Sequence, residues 1–333
     1  MTAPAARTSR LYLVDSSIYI FRAWHTLPDS LTDQAGRPIN AAFGFAEFLL
    51  QLLEQTRADT LVCAFDVSLG QAVRNEIYPD YKANRPPAPA DLKHQFERCR
   101  EIAASFGLWH HASPQFEADD IIGTLALMAR AAGTDCTIVT ADKDLTQFIG
   151  ERDVFWNVAR NERHDWHSIK KRFGVWPSQI ADMLALCGDK VDNIPGIPGV
   201  GQTTASRLLT RWKTLDALFD NTAKVAQMKF RGAARVATLL PEYEPVVRLS
   251  RQLTGLLTVP DLPDSVSALR RLPVDHGEVT RVLTGIGFSE RRIERALTIL
   301  DSTLHDSPLH NSTLHDSTLD TQRSAQLPDT TSR

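Results

Sequence analysis

The sequence contains few cysteines and no long apolar run. Its four cysteines, at positions 63, 99, 136 and 187, form no CxxC pair and follow no disulfide-like spacing. This fits a reducing cytoplasm and argues against a zinc site. No stretch approaches the roughly eighteen uninterrupted apolar residues of a membrane span, and residues 1–10 lack the apolar core of a signal peptide. We therefore expect a cytoplasmic protein with no membrane partner.

An excess of basic residues is also missing, because the net charge is −3. The charge is unevenly distributed, however. The stretch from Asp301 onward contains five Asp and two Arg, which accounts for the whole imbalance. If the clustered acids described below bind cations, the remainder of the chain is basic. The composition therefore does not exclude a polyanionic partner.

The apolar residues alternate between strand-like and helix-like patterns in the first half of the chain. Short buried strands are predicted at 11–15, 61–66, 108–111, 136–140 and 153–158, with helices around 45–53, 96–106 and 118–132 between them. Alternating strands and helices predict an α/β fold with a mostly parallel central sheet flanked by helices. The strands stop near residue 170. We place an α/β domain at 1–170 and a helical region at 171–300.

The last part of the chain has a different composition. From Ser302 to Asp320 the letters STLHD and close variants recur every five residues. A period of five suits neither a helix nor a strand, and leucine alone cannot form a core. We predict that residues 301–333 form a disordered, low-complexity tail.

Acidic residues follow the predicted strands at equivalent places. Asp15, Asp66 and Asp142 each lie at or just after the end of a strand, which is the edge where parallel sheets bind ligands. A single aspartate there is usually a helix cap or a turn residue. Three at equivalent positions suggest a shared role.

Two denser groups of acids join them. Glu117, Asp119 and Asp120 crowd the first turn of one predicted helix, and Asp144 follows Asp142 by two residues. Asp189 and Asp192 lie one turn apart at the predicted end of another helix, where the helix dipole disfavours negative charge. Oxygen ligands without His or Cys favour Mg²⁺ or Mn²⁺. Their number suggests two neighbouring ions, an arrangement that catalyses phosphodiester hydrolysis.

A glycine-rich segment predicts a helix-hairpin-helix at about 177–211. Pro177 begins the first helix and Gly188 ends it; Gly199 and Gly201 then precede the second helix. Glycines at such a turn allow the backbone to approach a phosphate, which the helix amides can bind. A plain tight turn between two helices is the alternative interpretation.

A long basic, aromatic and proline-rich segment follows the second strand. It contains Arg74, Tyr81, Lys82 and Arg85, and it is too long for a simple connection. Such a segment could grip single-stranded nucleic acid by charge and stacking, although isolated basic pairs usually lie on a solvated surface.

Taken together, these motifs resemble the 5′ nuclease (flap endonuclease) family, in the form fused to bacterial DNA polymerase I. The matching motifs are VDSS at 14–17, FRAWH at 21–25, AFGF at 42–45, AFD at 64–66, YKANR at 81–85, FEADD at 116–120, TADKD at 140–144, GD with DN at 188–193, and the Pro-Gly hairpin. They cover roughly residues 10–290. The resemblance implies a PIN-like sheet and a C-terminal helical portion containing the helix-hairpin-helix.

The resemblance also implies roles for individual residues. The first ion would be bound by Asp15, Asp66, Glu117, Asp119 and Asp120, and the second by Asp142, Asp144, Asp189 and Asp192. Lys82 and Arg85, assisted by Arg74, would act on the scissile phosphate from a helical arch at about 71–93. Contacts to DNA would come from Phe21, Tyr81, Gly199, Val200, Gly201 and Thr203. The family often carries a potassium ion at the hairpin.

The implied activity is that of a metal-dependent 5′-3′ exonuclease and flap endonuclease. It would cut DNA near 5′ single-strand/duplex junctions and leave 5′-phosphate and 3′-hydroxyl ends. We expect a monomer near bacterial nucleoid DNA. No polymerase domain follows within the 333 residues, so we expect either a stand-alone nuclease, for which a separate DNA polymerase is a candidate partner, or a fragment of a longer protein. Two alternatives stay open: a PIN-like ribonuclease and a non-catalytic factor that binds structured DNA.

Overall fold

The computed structural model describes residues 10–67 and 72–305. Six strands form one sheet: β1 Arg10–Asp15, β2 Thr60–Asp66, β3 Trp109–Ser113, β4 Asp135–Val139, β5 Val154–Asn157 and β6 Glu162–His164. Their order in the sheet is β3-β2-β1-β4-β5-β6, and only the β5–β6 pair is antiparallel. The predicted α/β fold with a mostly parallel sheet is confirmed. The antiparallel β6 was not predicted.

Helices cover both faces of the sheet and form the C-terminal part of the chain. They are α1 Ser16–Thr26, α2 Asn40–Thr56, α3 Val73–Ile77, α4 Ala90–Ser105, α5 Ala118–Ala131, α6 Trp166–Phe173, α7 Ile180–Cys187, α8 Gln202–Trp212, α9 Leu215–Phe219, α10 Thr222–Val225, α11 Ala233–Thr254, α12 His276–Gly285 and α13 Glu290–His305. Within the described ranges, no helix is long and apolar enough to cross a membrane.

The alternation of side chains along each strand divides the core into two layers. Leu11 and Leu13 of β1 point to one face, where they pack with α5, α7, α8 and α11. Val14, on the other face, packs with α1, α2, α4, α12 and α13. Both faces of the central strands are therefore buried, as is usual for a parallel sheet. The C-terminal helices close over this core rather than forming a separate one.

The connection between β2 and α4 contains the predicted arch. Its described part consists of the short α3 and a series of turns from Tyr78 to Arg85, in which backbone amides bond to carbonyls three residues earlier. The segment is therefore not a continuous helix. Residue 71, where we placed its beginning, lies outside the described residues.

The end of the chain differs from the prediction. Helix α13 continues to His305, so the tail boundary at 301 was placed too early. Leu300 and Thr303 extend the apolar face of this helix, and the buried Thr303 hydroxyl accepts a hydrogen bond from Arg271 at 3.0 Å. The rest of the predicted tail, 306–333, lies outside the described residues.

Candidate metal and nucleic-acid site

Acidic residues line the edge of the sheet formed by the C-terminal ends of the parallel strands. Asp15 ends β1, Asp66 ends β2, and Asp142 follows β4 by three residues. The chain leaves β1 for β2 on one side and returns to β4 on the other. The ends of β1 and β4 thus form the topological switch point, where open α/β sheets have their ligand crevice. Asp15 and Asp142 flank this point.

Asp15 is buried in a network that connects the two strands. Its Oδ2 accepts a hydrogen bond from the Thr140 hydroxyl at 2.8 Å, and the Thr140 Oγ1 accepts one from the Asp142 amide at 2.9 Å. Burial, together with the nearby charges of Asp66 and Asp142, raises the pKa of Asp15 to about 7. Thr140 was part of a quoted motif but was not assigned a role. Its position between two acids shows that it orients them.

The beginning of α5 brings further acids to the same edge. Burial and then the charges of Asp142 and Asp15 raise the pKa of Asp119 well above its usual value. Asp66 accepts a hydrogen bond from the Ala118 amide at 2.8 Å, so the acid ending β2 caps this helix. One of its oxygens stays available for a ligand. Burial alone would raise the pKa of Glu117, but Lys82 and Arg74 keep it below the usual value.

Asp120 departs from the expectation that it binds a metal ion. Its side chain is fully buried, and both oxygens pair with the Arg74 guanidinium, at 2.5 and 2.8 Å. The same oxygens also accept the backbone amides of Glu117 and Leu257. With its acceptors engaged in this way, Asp120 anchors Arg74 and is not placed to bind a cation.

Arg74 likewise departs from the role expected of it. All five of its N–H donors have acceptors: Asp120 takes two, and Glu117 and the carbonyls of Leu253 and Gly255 take one each. Since no donor remains for a phosphate, Arg74 cannot act on DNA in this arrangement. It instead ties the arch segment to α5 and to the end of α11.

Tyr81 is also used within the protein. Its side chain is only 4% exposed, and its hydroxyl donates a hydrogen bond to Glu117 at 2.9 Å. The ring packs against Ile194 and Leu253. It therefore cannot present a face to a base, contrary to the expectation, and it positions Glu117.

The side chains of Lys82 and Arg85, which belong to the arch segment, also contact predicted metal ligands. The Lys82 Nζ lies 2.6 Å from Glu117 and 3.8 Å from Asp192, and Arg85 forms an ion pair with Asp192. Lys82 has φ of 55°, a left-handed conformation that is uncommon outside glycine. Such strain persists where the surrounding structure enforces it, often at functional sites. Both basic side chains lie at the acids, and their action on a scissile phosphate stays a prediction.

Two further predicted ligands, Asp144 and Asp189, lie beside the side chain of Lys143. Its Nζ lies 3.3 Å from Asp144 and 3.9 Å from Asp189. Burial and the charge of Asp142 raise the pKa of Asp144 to about 6. Asp189 and Asp192 do not lie on a helix, which corrects our interpretation. They lie in a turn after α7, where Asp189 Oδ1 accepts the Val191 amide at 2.7 Å. The role of Lys143, between two predicted ligands, was missed.

Eight of the nine predicted acids thus meet at one edge of the sheet, and we call them the carboxylate cluster: Asp15, Asp66, Glu117, Asp119, Asp142, Asp144, Asp189 and Asp192. A cavity of about 30 Å³ lies among several of them, which is room for an ion or a water. Across residues 10–67 and 72–305, no three His, Cys, Asp or Glu side chains converge closely enough to form a ready metal cage. Lys82 and Lys143 supply the positive charge between the acids.

Hydrogen bonds and an ion pair connect the arch segment to the turn after α7. The Lys82 amide donates to the Asp192 carbonyl at 3.0 Å, and the side chains of Asn84 and Asn193 each bond to a carbonyl of the opposite segment. With the Arg85–Asp192 ion pair, these contacts place basic residues from one segment against acids from the other.

The helix-hairpin-helix consists of α7, a turn and α8. Gly188 and Gly196 pack back to back: a Cβ at Gly196 would lie 2.2 Å from the Gly188 nitrogen, so only glycine fits. Gly199 has φ of 81° and Gly201 caps α8. Gly199, Gly201 and Thr203 are exposed, while the Val200 side chain is buried and leaves only its backbone for a ligand. The turn thus presents backbone to solvent at a helix start.

Phe21 on α1 is exposed by 41% and packs edge-on against Phe96 at 5.5 Å. The predicted contact of this ring with a base stays a prediction. A carboxylate-lined switch point beside a helix-hairpin-helix is the arrangement of a nuclease-type fold.

Comparisons with known proteins agree with this arrangement. Residues 10–174 match the N-terminal resolvase-like domain of 5′-3′ exonucleases, and residues 175–276 match their C-terminal SAM fold. The chain belongs to the 5′-3′ exonuclease family.

Its curated relatives are much longer proteins. DNA polymerase I of Pseudomonas aeruginosa is 40% identical over 260 residues, which cover 78% of this chain and 28% of the relative. DNA polymerase I of Bacillus subtilis is 31% identical over 284 residues, covering 84% and 31%. The chain therefore spans less than a third of the length of these relatives.

Solved structures share the fold. The T5 5′-exonuclease with bound divalent metal ions (zinc) superimposes with a TM-score of 0.59 at 17% identity, over 88% of this chain and 99% of that one. The catalytic core of Rad2 in complex with DNA substrate gives a TM-score of 0.59 at 18% identity, over 88% and 92%.

Proposed function

We propose that the chain is a structure-dependent 5′-3′ exonuclease and flap endonuclease that hydrolyses DNA phosphodiester bonds near 5′ single-strand/duplex junctions. The observation that carries the proposal is the carboxylate cluster, with Lys82 and Arg85 facing it from the arch segment. We further propose 5′-phosphate and 3′-hydroxyl products, and a two-metal-ion mechanism.

The donor set fits two hard divalent cations. The residues expected to bind the first are Asp15, Asp66, Glu117 and Asp119, and those for the second are Asp142, Asp144, Asp189 and Asp192. All eight offer carboxylate oxygens, the ligands that Mg²⁺ and Mn²⁺ prefer. Burial, together with the charges of neighbouring carboxylates, raises the pKa values of Asp15 and Asp144, and a cation bound beside them would lower these pKa values again. Such ions supply a polarised phosphate and an activated water at neutral pH.

The protein's own residues bind and orient the DNA. Lys82 now pairs with Glu117, and Arg85 with Asp192. A phosphate that enters the carboxylate cluster can replace these two carboxylates as the partner of the basic side chains. The positive charge of Lys82 and Arg85 then offsets the negative charge that develops on the phosphate oxygens. Phe21 offers a ring to the base beside the cut. The amides at the start of α8 bind the duplex backbone, with a potassium ion expected at this turn.

The test is cleavage of a labelled 5′-flap duplex with Mg²⁺, beside blunt DNA and a matched RNA. We expect junction cleavage that EDTA abolishes and that Asp142→Ala reduces by several orders of magnitude. Asp216→Asn, which removes an exposed carboxylate outside the cluster, is the matched control and should cut normally.

Other results of this assay separate the rival functions. Preferred cleavage of the RNA would favour a PIN-like ribonuclease, especially if exchanging the hairpin left that cleavage intact. Tight flap binding without cleavage in Mg²⁺ or Mn²⁺ would make this a non-catalytic binding factor. We further propose that the protein works as a monomer on cytoplasmic, nucleoid DNA in replication or repair.

A further inference from the structure

A cleft lined by two tryptophans lies away from the carboxylate cluster. The turn before β5, the beginning of α6 and the segment after α6 form its walls, and we call it the tryptophan cleft. Because β5 runs parallel to β4 and β1, the turn before it belongs to the sheet edge opposite the one that carries the acids. The volume of the cleft is about 630 Å³, within the usual range of ligand-binding cavities.

Aromatic rings supply much of the surface of the tryptophan cleft. Trp166 and Trp176 stack with their ring centroids 5.5 Å apart, and both side chains remain partly exposed. The exposed ring of His167 meets Trp176 edge-on at 5.9 Å. Exposed planar rings offer a stacking partner to unpaired bases, and this stacking tolerates any base.

The part of the cleft formed by α6 is positively charged. The Lys170 Nζ lies over the Trp176 ring, 5.4 Å from its centroid, and Lys171 follows on the exposed surface. Burial and then the charge of Lys213 lower the pKa of Lys170, so a third ammonium group is close by. None of the three lysines forms an ion pair with the residues that the structure describes. Uncompensated positive charge of this kind attracts a polyanion.

The acids near the cleft do not cancel this charge. Asp165 caps α6 by accepting the Ser168 amide at 2.8 Å. Arg152, on the wall, is paired with Asp135 at 3.0 Å. Glu151 is the one described acid on the wall, and the three lysines outnumber it. A negatively charged ligand with planar groups therefore fits the cleft, and single-stranded DNA has both properties.

Helix α8 connects the tryptophan cleft to the helix-hairpin-helix. The buried Gln179 side chain accepts a hydrogen bond from the Trp176 amide at 3.1 Å and donates to the carbonyls of Leu209 and Lys213, at 3.2 and 2.7 Å. The eleven residues of α8 span about 16 Å, roughly the rise of five base pairs. The exposed side chains of α8 include two arginines and no acid: Gln202, Thr203, Arg207, Thr210 and Arg211.

We propose that the tryptophan cleft binds unpaired bases of a DNA strand whose paired part lies on the helix-hairpin-helix. The bases stack on Trp166 and Trp176, and Lys170, Lys171 and Lys213 bind the adjoining phosphates. The inference rests on the proposed function, because the DNA at the hairpin is the proposed substrate. It adds a second binding site about five base pairs from the hairpin, at the sheet edge opposite the cut. A duplex that continues into a single strand should therefore bind more tightly than a fully paired one.

The test compares flap junctions that are identical at the cut. In one, the duplex behind the junction is paired to its end. In the others, it continues into an oligothymidine tail after a number of base pairs that is varied along a series. Binding is measured by fluorescence anisotropy in EDTA, where a metal-dependent nuclease does not cut. At one duplex length, we expect the tailed junction to bind about tenfold more tightly, the factor that stacking of one base contributes.

Variants connect this gain to the cleft. Trp166→Leu should remove the gain and bind the fully paired junction like the wild type, which also shows that the variant is folded. Trp166→Phe keeps a ring and should retain most of the gain. Lys171→Gln should lower the salt slope for the tailed junction by about 0.7, as for one lost phosphate contact. Arg291→Gln is the matched control, because Arg291 is an exposed charge on α13, which packs on the other face of the sheet.

Three results would overturn the proposal. The first is equal affinity for the tailed and paired junctions at every duplex length, and the second is an equal loss for both in Trp166→Leu. The third is loss of the gain on adding a glutamate-rich peptide but not on adding free oligothymidine, which would make the cleft a surface for a protein partner. Flap cleavage with Mg²⁺ in the same preparations judges the proposed function separately. A protein that cuts the flap without any gain from the tail refutes only the cleft.

Discussion

The pair of Arg74 and Asp120 gives the sharpest test of which acids stabilise the fold and which bind a metal ion. Asp120 is fully buried and Arg74 is nearly so, and the Arg74 guanidinium donates five hydrogen bonds. Removing one partner of a buried pair costs about 3–5 kcal/mol, because the other charge stays buried without compensation. With an unfolding entropy of about 2.1 cal/mol/K per residue, Arg74→Met should lower Tm by roughly 5–8 °C.

The same pair decides whether Asp120 binds an ion. We expect Asp120→Asn to lower Tm by several degrees but to leave the Mg²⁺ concentration for half-maximal cleavage unchanged, whereas Asp119→Asn should raise that concentration with little effect on Tm. Thermal unfolding in EDTA and a Mg²⁺ titration of flap cleavage measure both quantities. A raised Mg²⁺ requirement in Asp120→Asn with an unchanged Tm would refute our assignment and restore Asp120 as a ligand.

Three further predictions follow from the site. In EDTA, the free energy of unfolding should fall as pH rises from about 4 to about 7, because the folded protein keeps protons on Asp15 and Asp144 that the unfolded chain has lost. Mg²⁺ should therefore raise Tm more at pH 8 than at pH 5, and an equal gain at both would contradict this. Thr140→Val should cost about 1–3 kcal/mol in urea unfolding and weaken Mg²⁺ activation, whereas Thr140→Ser should restore both. Gly196→Ala should destabilise the hairpin through its 2.2 Å backbone clash and weaken duplex binding, a loss that Gly285→Ala, in open space at the end of α12, should not reproduce; equal affinities would contradict the close packing.

The location of the strand-end acids could be predicted from the sequence, because the order of strands and helices along the chain indicated a parallel sheet. Asp15 and Asp66 end buried strands of clear pattern, and their meeting needed only the rule that parallel strands end at the same edge. Helix α5 and its acidic first turn were equally evident from the spacing of apolar residues. These features depend on local pattern and topology alone.

The errors arose where a side chain's partner lies far away in sequence. Arg74 bonds to the carbonyls of Leu253 and Gly255, and nothing near residue 74 indicates those acceptors. Tyr81 was expected at DNA for the same reason, although its ring packs in the interior. A basic or aromatic residue in a long segment has the same appearance in sequence whether it faces solvent or the core.

The boundary of the tail was predicted wrongly for a different reason. The five-residue repeat begins within the last turn of α13, so its composition concealed an apolar face that continues through Leu300 and Thr303. The short β6 was missed because three residues, Glu162 to His164, provide too little pattern to show a strand.

The ion pairs of Lys82 with Glu117 and of Arg85 with Asp192 give the site a thermodynamic consequence. Each pair must separate before its basic member can take a phosphate, and separation leaves a buried or half-buried carboxylate without a counterion. A divalent cation that takes over the carboxylate removes this penalty. Metal and DNA should therefore bind with positive cooperativity, and by linkage each must raise the affinity of the other by the same factor.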